Sequence, residues 1–480
     1  MPSRNLITLS LAAIVSLLCY HTASRNHYGG LLSTAIGEIH SAFVRPVDDR
    51  KLFEGAMEGM VRQLDPYSDY IDPDELSEFQ EEIDQKFGGI GIVVEINRET
   101  ERLTVLSPLP DTPAAAAGIR AGDQILAIDG KSTLGYQISD AVKLMRGDPG
   151  TELTVSILHV GADEPIDVTL KRAIIPVASV LGDVRNADGT WQYTLRSHPD
   201  IGYVRLTTFG EKTADELRET LSTIEPDIKG LILDLRSNGG GLLSTAVDIC
   251  DMFISEGAIV SIRGRARDDR RDYEASEAAT LFPDLPMVVL IDGFSASASE
   301  ITAACLQDND RAIVVGTRSW GKGTVQNVMP FEGGKSALKL TIATYWRPSG
   351  NNIHRHVDAT DDEPWGVTPT DGYLVEVDDQ TRTKIVLLRL ERDKVDMGEP
   401  IEPEDLAPVD DASSEPADLE ADDLEADEEP LDNESTSDTT AENPSNEDAP
   451  PLPDITGFED PQLQRAIEAI NELTSSETNP

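Results

Sequence analysis

Cysteine is nearly absent from this 480-residue chain, which has three in all. That scarcity excludes a disulfide framework and a cysteine metal site. Cys19 lies in the N-terminal apolar run, where the bulk of Leu18 before it argues against lipidation. Cys250 in "AVDICDMFI" and Cys305 in "ITAACLQD" fall in helix-like apolar runs and are expected to be buried small hydrophobes. Basic residues are also short, 40 Lys and Arg against 88 Asp and Glu, for a formal charge of −48. None occurs between Lys394 and Arg465, an interval that includes "EEPLDNESTSDTTAENPSNEDAPP". So little apolar surface cannot offset the chain entropy of folding, so this interval is expected to be a disordered linker. Without clustered Lys and Arg to meet phosphates, no nucleic-acid partner is expected.

Long apolar runs are equally few. The run from Leu6 to Tyr20, after Arg4, fits a secretory h-region and is slightly short of the roughly 20 residues a membrane span needs. Residues 1–28 therefore read as a signal peptide or a retained membrane anchor, placing the rest of the chain in the cell envelope, periplasmic or membrane-anchored outside the cytoplasm.

What remains divides by pattern. Residues 29–86 carry helical spacing in "LLSTAIGEIHSAF" and "KLFEGAMEGMVRQL", broken by "DPYSDYIDPDEL". Their apolar faces are free to pack on the rest of the chain or on a second copy, which makes a homodimer through these helices an expected partner. Residues 87–173 change to short β-type runs, "GIGIVVEI", "RLTVLSPL", "DQILAIDG" and "LTVSILHV", with one helical stretch, "ISDAVKLMRG". This stretch resembles a PDZ domain, through Gly88 to Ile92, "PAAAAGIRAGDQILAIDG" and "RGDPGTELTVSI". The resemblance implies that Gly88, Gly89, Ile90, Gly91 and Ile92 receive the C-terminal carboxylate of a peptide added as a strand. Residues 174–397 alternate strand and helix patterns, the mark of an α/β core with a parallel or mixed sheet. The acidic linker occupies 398–456 and a last helix 457–480. The fold class expected is thus α/β multidomain: N-terminal helical region, β-rich PDZ-like module, α/β core with a mixed sheet, disordered acidic linker and C-terminal helix.

In open α/β sheets ligands sit where strands end and helices begin. Two such ends stand out, "LILDLRSNGGG" and "VVLIDGFSASASE". The second places Ser295, Ser297 and Ser299 on a strand-to-helix turn. Ser297 and Glu300 match a capping box, which by itself implies no chemistry. A serine nucleophile needs a base. Of the histidines, His40, His159, His198, His354 and His356 lie off the strand ends of the core. Lys322, between Gly321 and Gly323 in "SWGKGTVQ", is the alternative, because a buried lysine can lose its proton near neutral pH. The stretch "GTRSWGKGT" also approaches a phosphate loop, but Gly323 stands where a metal-binding hydroxyl belongs and a strand pattern follows instead of a helix. His354, His356 and Asp358 with the acids at 361–363 read as a solvated loop rather than a metal site, and no metal or cofactor is expected.

Jointly, "DLRSNGGG", "FSASASEI" and "GKGTVQ", with "LDPYSDYI" and the final "DPQLQRAIEAI", resemble the carboxyl-terminal processing peptidases, or tail-specific proteases. The resemblance implies a serine endopeptidase acting on protein or peptide C-terminal tails. In it Ser297 is the nucleophile, Lys322 the base, Gln326 the residue that orients the lysine, and the amides of Gly241 and Ala298 the oxyanion donors. Gln326 lies four positions past Lys322, which on a strand would put both on one face. A non-catalytic PDZ-type peptide-binding scaffold is the competing expectation. Two departures stand out: "NNIHRHVDATDDEPWGVTPTDG" is longer and more acidic than the family's segment after "PSG", and the acidic linker leaves the docking of the last helix undefined.

Overall fold

The computed structural model describes residues 13–16, 27–97, 100–186, 189–266, 268–360, 362–394 and 453–477. Most of the leader and all but the last few residues of the expected linker lie outside the described residues. Among the described residues no helix is long and apolar enough to cross a membrane.

The core is built on a mixed sheet in the order Val180–Leu181, His198–Leu206, Gly230–Asp234, Met287–Ile291, Ile313–Gly316, with Thr194–Leu195 also pairing His198–Leu206. The last four strands in that order are mutually parallel. "GLILD" and "MVVLI" are buried at every position, as expected for central strands covered on both faces. One face is covered by helices Thr213–Ile224, Leu243–Asp251 and Ala298–Asp308, which join the largest apolar cluster. Cys250 and Cys305 lie in that cluster, buried as expected.

The helix Pro461–Glu477 covers the other face. Leu463, Ala466, Ile467, Ala469 and Ile470 pack there on Tyr203, Ile232, Val288, Leu290 and Val315. The sheet leaves room for it at Gly230, where a Cβ would stand 2.9 Å from the Ile470 side chain. The docking site that the sequence left undefined is thus the back of the central sheet.

A second, antiparallel sheet runs Asp69–Ile71, Ser336–Trp346, Ala258–Gly264, Arg270–Glu274, with Thr324–Phe331 paired to Ser336–Trp346. Its first strand comes from the N-terminal region. Phe53, Met57, Val61 and Tyr70 pack against Phe331, Leu338 and Leu340, so residues 49–71 are part of the core's own packing. The preceding helix, His27–Ala42, buries no residue.

The β-rich module is a six-stranded antiparallel sheet with the helix Ile138–Met145 across it. It joins the core through two strands that pair with each other, Lys86–Gly89 and Ala173–Pro176.

Candidate active site

Strands Gly230–Asp234 and Met287–Ile291 are parallel neighbours, so their C-terminal loops leave the sheet side by side. The loops are tied together by the residues the sequence singled out. The Asn238 carbonyl accepts from the Ala296 amide at 3.0 Å and from Ser299 Oγ at 2.9 Å. Ser295 Oγ donates to the Leu235 carbonyl at 2.8 Å, and Asp292 accepts from the Ser237 amide at 2.9 Å. The two outer serines are therefore occupied in holding the loops together.

Ser297 sits between them at the helix start with φ +56° and ψ −112°, a conformation that a non-glycine residue adopts only where its surroundings impose it. Glu300, one turn on, accepts the Ser297 amide at 2.8 Å, which is the backbone half of the expected capping box. The same buried carboxylate does more than cap. It also accepts from the Lys322 amide at 2.8 Å, the Gly321 amide at 2.7 Å and Ser319 Oγ at 2.6 Å. One side chain thus clamps the serine turn to the lysine loop, a link invisible in a capping motif because the second loop lies about twenty residues away. Burial pushes the Glu300 carboxyl up to about 7, and the four donors oppose a larger rise.

Ser297, Lys322, Gln326 and Gly239 to Gly241 line one cavity of about 1580 Å³, with Tyr67 and Ser68 on its N-terminal side. Lys322 is half-buried, and burial, then the charge of Lys339, holds its amine below the usual lysine range. Its Nζ lies 5.5 Å from the Tyr67 ring centroid. Gly241, at φ +146°, forms a bridge with Phe209, and a Cβ there would meet the Phe209 carbonyl at 2.4 Å. The flanking groups are bonded, Phe209 N to the Gly240 carbonyl and Leu242 N to the Phe209 carbonyl, which leaves the Gly241 amide at the cavity wall. Ala298, the first residue of its helix, has an amide with no intrahelical acceptor; it is buried beneath the cavity surface rather than lining it.

Gln326 departs from the expected geometry. Lys322 precedes the strand Thr324–Phe331, and that strand bulges between Val325 and Gln326, so the same-face spacing of a regular strand does not apply. The Gln326 amide donates to Thr324 Oγ1 at 2.8 Å and Thr341 Oγ1 at 3.3 Å. Thr341 in turn donates to Asp65, which also accepts from the Tyr67 and Ser68 amides. "LDPYSDYI" is thereby part of the site: Asp65 folds the turn that sets Tyr67 beside Lys322. The sequence alone gives this motif no role, and its Asp-Pro turn is the one local signal of it.

The histidine segment is only partly a solvated loop. His356, Val357 and Asp358 are exposed, but the His354 ring lies edge-on to Tyr67 at 6.3 Å, and its backbone abuts Gly323, where a Cβ would be 2.1 Å from the His354 nitrogen. Burial, then His356, holds His354 below the usual imidazole range. Among the described residues no cluster of three or more His, Cys, Asp or Glu is arranged to hold a metal.

In the β-rich module, Gly88 and Gly89 belong to the connecting strand, opposite Ile174 and Ala173. A Cβ at Gly88 would lie 2.1 Å from the Gly147 carbonyl oxygen, so close packing of backbone accounts for that glycine. Ile90 is buried, Gly91 turns at φ +78° beneath Thr112, and Ile92 begins the edge strand Ile92–Asn97. That strand pairs on one side with Arg102–Pro108 and touches the helix Ile138–Met145.

Comparison with known proteins agrees with this layout. Residues 200–370 match the model of peptidase family S41, 104–158 match a PDZ domain, and 30–75 match the activating protease CtpB N-terminal domain. A carboxy-terminal-processing protease of Bartonella bacilliformis is 42% identical over 320 residues, 66% of this chain and 70% of that protein. A carboxyl-terminal-processing protease of Synechocystis is 35% identical over 316 residues, 65% and 70% of the two chains. A solved photosystem II D1 C-terminal processing protease aligns over 71% of this chain and 85% of its own, at 28% identity and a TM-score of 0.39. Fold and site together define a serine peptidase with a PDZ domain. The chain belongs to the carboxy-terminal processing proteases of family S41, enzymes whose substrates are protein and peptide C-termini.

Proposed function

We propose that Ser297 is the nucleophile and Lys322 the general base of this protease. Ser297 Oγ attacks the peptide carbonyl as Lys322 Nζ takes its proton. The C–N bond then breaks as Lys322 returns the proton to the leaving amine, and water, activated by the same lysine, cleaves the acyl-enzyme. The amides of Gly241 and Ala298 receive the negative oxygen of each tetrahedral intermediate. Gln326 orients the lysine once its bonds to Thr324 and Thr341 rearrange. The observation that carries the reading is the Glu300 clamp, which fixes the Ser297 and Lys322 amides on one carboxylate while both side chains line one cavity.

The domain plan that goes with it is 1–28 leader, 29–86 helical region, 87–173 PDZ, 174–397 peptidase, 398–456 linker and 457–480 terminal helix. Substrate tails add to the edge strand Ile92–Asn97, with the amides of Ile90 to Ile92 at their carboxylate. Exposed Leu31, Leu32, Ile39 and Phe43 support dimerisation through the N-terminal helix. The leader carries the catalytic region to the cell envelope, by cleavage or as an anchor.

The test is cleavage of a tailed peptide by wild type, Ser297→Ala and Lys322→Ala. Both variants are expected to lose about 10²-fold or more in kcat. Equal proteolysis by all three removes the assignment, and binding without cleavage by wild type supports the scaffold.

A further inference from the structure

The loop that carries Gly241 begins at Arg236, one of the most enclosed charges of the core. Its guanidinium faces two carboxylates, one two residues back at the end of the strand Gly230–Asp234 and one from near the C-terminus. Nε and Nη2 bond Asp234, at distances down to 2.6 Å. Nη1 donates to Asp460 Oδ2 at 2.8 Å and to Gln462 Oε1 at 3.1 Å. Both carboxylates and the guanidinium are nearly sealed from solvent. Tyr203 completes the group by donating to Asp234 at 2.6 Å.

Asp460 has two tasks. Its Oδ1 caps the terminal helix through the Gln462 and Leu463 amides at 3.0 and 3.1 Å, while Oδ2 takes the arginine. Gln462 is held in turn, its Nε2 donating to the Val375 carbonyl at 3.1 Å. The helix could be capped without facing Arg236, and Arg236 already has a partner in Asp234. What the second carboxylate adds is a hold on Nη1, the corner of the planar fork that Asp234 does not bond, and this constrains the path of the backbone from Arg236 onward. That path leads within two residues to Asn238, which ties to the serine turn, and within five to Gly241.

We propose that Asp460 is a positioning residue for the protease reaction: it holds Arg236, and through it the glycine loop, so the segment 453–477 completes the catalytic core rather than merely covering it. The inference rests on the assignment of Ser297, Lys322 and Gly241 above. It makes the terminal helix, joined to the core through residues 395–452, a required part of the oxyanion site.

The experiment uses the full chain and Asp460→Asn. Asparagine caps a helix as well as aspartate but removes the charge that faces Arg236. Active sites are titrated with a serine-reactive fluorophosphonate, and kcat is expressed per titrated site. The expected result is a fall of about 10- to 100-fold in kcat per site, with KM within about twofold. Affinity for a peptide aldehyde, which adds Ser297 Oγ to give a tetrahedral hemiacetal, should weaken by the same factor. Binding of the uncleaved peptide to Ser297→Ala carrying the same change should not move. Asp460→Glu and Gln462→Leu serve if the asparagine variant does not fold, with smaller losses of the same kind expected. Unchanged kcat per site, or a loss only in the number of titratable sites, overturns the proposal and leaves Asp460 a stability residue. Failure of the underlying assignment is read separately, as cleavage that survives Ser297→Ala in the otherwise wild-type chain.

Discussion

Replacing Glu300 by glutamine removes one acceptor oxygen from a buried point where four donors converge. Oε1 serves Ser319 Oγ and the Gly321 amide, and Oε2 serves the Ser297 and Lys322 amides. The least costly pose keeps the amide oxygen on Ser297 and Lys322 and turns the NH2 toward Ser319 and Gly321. The Ser319 hydroxyl already accepts from the Val367 amide at 2.7 Å, and it can rotate to accept from the new NH2 as well. Gly321 N–H cannot, and is left facing a donor. One unpaired buried amide costs about 1–3 kcal/mol, or roughly 2–12 °C in Tm for a domain of this size. The released Gly321 lets the lysine loop shift, and a displacement near 1 Å is expected to lower kcat about 10- to 100-fold. A pH effect accompanies this. Because burial raises the folded pKa to about 7, the carboxyl's contribution to stability is full below its unfolded value near 4.5 and is lost as pH rises through 7. The loss amounts to about 3 kcal/mol. Glutamine does not titrate, so that slope between about pH 4.5 and 7 should vanish from the variant's Tm profile. Thermal melts across this range, with kcat per titrated site at pH 8, check both statements. Wild-type kcat at pH 8 would show that Glu300 clamps nothing.

Further outcomes follow from the same contacts. Lys322→Met should lower kcat by about 10²- to 10⁴-fold yet raise Tm at neutral pH, by about 2–4 °C for each kcal/mol regained. A lysine with a depressed folded pKa costs stability below that pKa and recovers it only as pH rises toward the unfolded value; paired melts at pH 7 and 10 should show the gain shrinking. Tyr67→Leu removes the ring that faces the Lys322 ammonium, so the acidic limb of the kcat/KM profile should move down by roughly half a pH unit. At the joint between PDZ module and core, Gln85 accepts the Lys212 amide at 2.7 Å and packs against Gly210, beside the Phe209 that borders Gly241. Gln85→Ala should cost about 1–3 kcal/mol of local stability and make Lys86 a faster site of limited tryptic cleavage, seen by mass spectrometry.

The residue patterns alone determined the order and type of the main elements, because fully apolar strands, helical spacing and turn residues are local signals. They also marked the serine turn and the lysine loop, because glycines beside a reactive side chain are legible wherever the loop goes. Only the tertiary structure decided what those residues meet. Glu300 reads locally as a cap, and becomes a clamp because the sheet brings the 319–322 loop onto the same carboxylate. Gln326 reads as a strand neighbour of Lys322, until a bulge and an irregular loop change its direction. Asp65, Tyr67 and Asp460 lie far along the chain from Thr341, Lys322 and Arg236, which they meet across the fold. Contacts between distant segments depend on how covered faces and buried charges find partners in three dimensions, and no local periodicity encodes that choice.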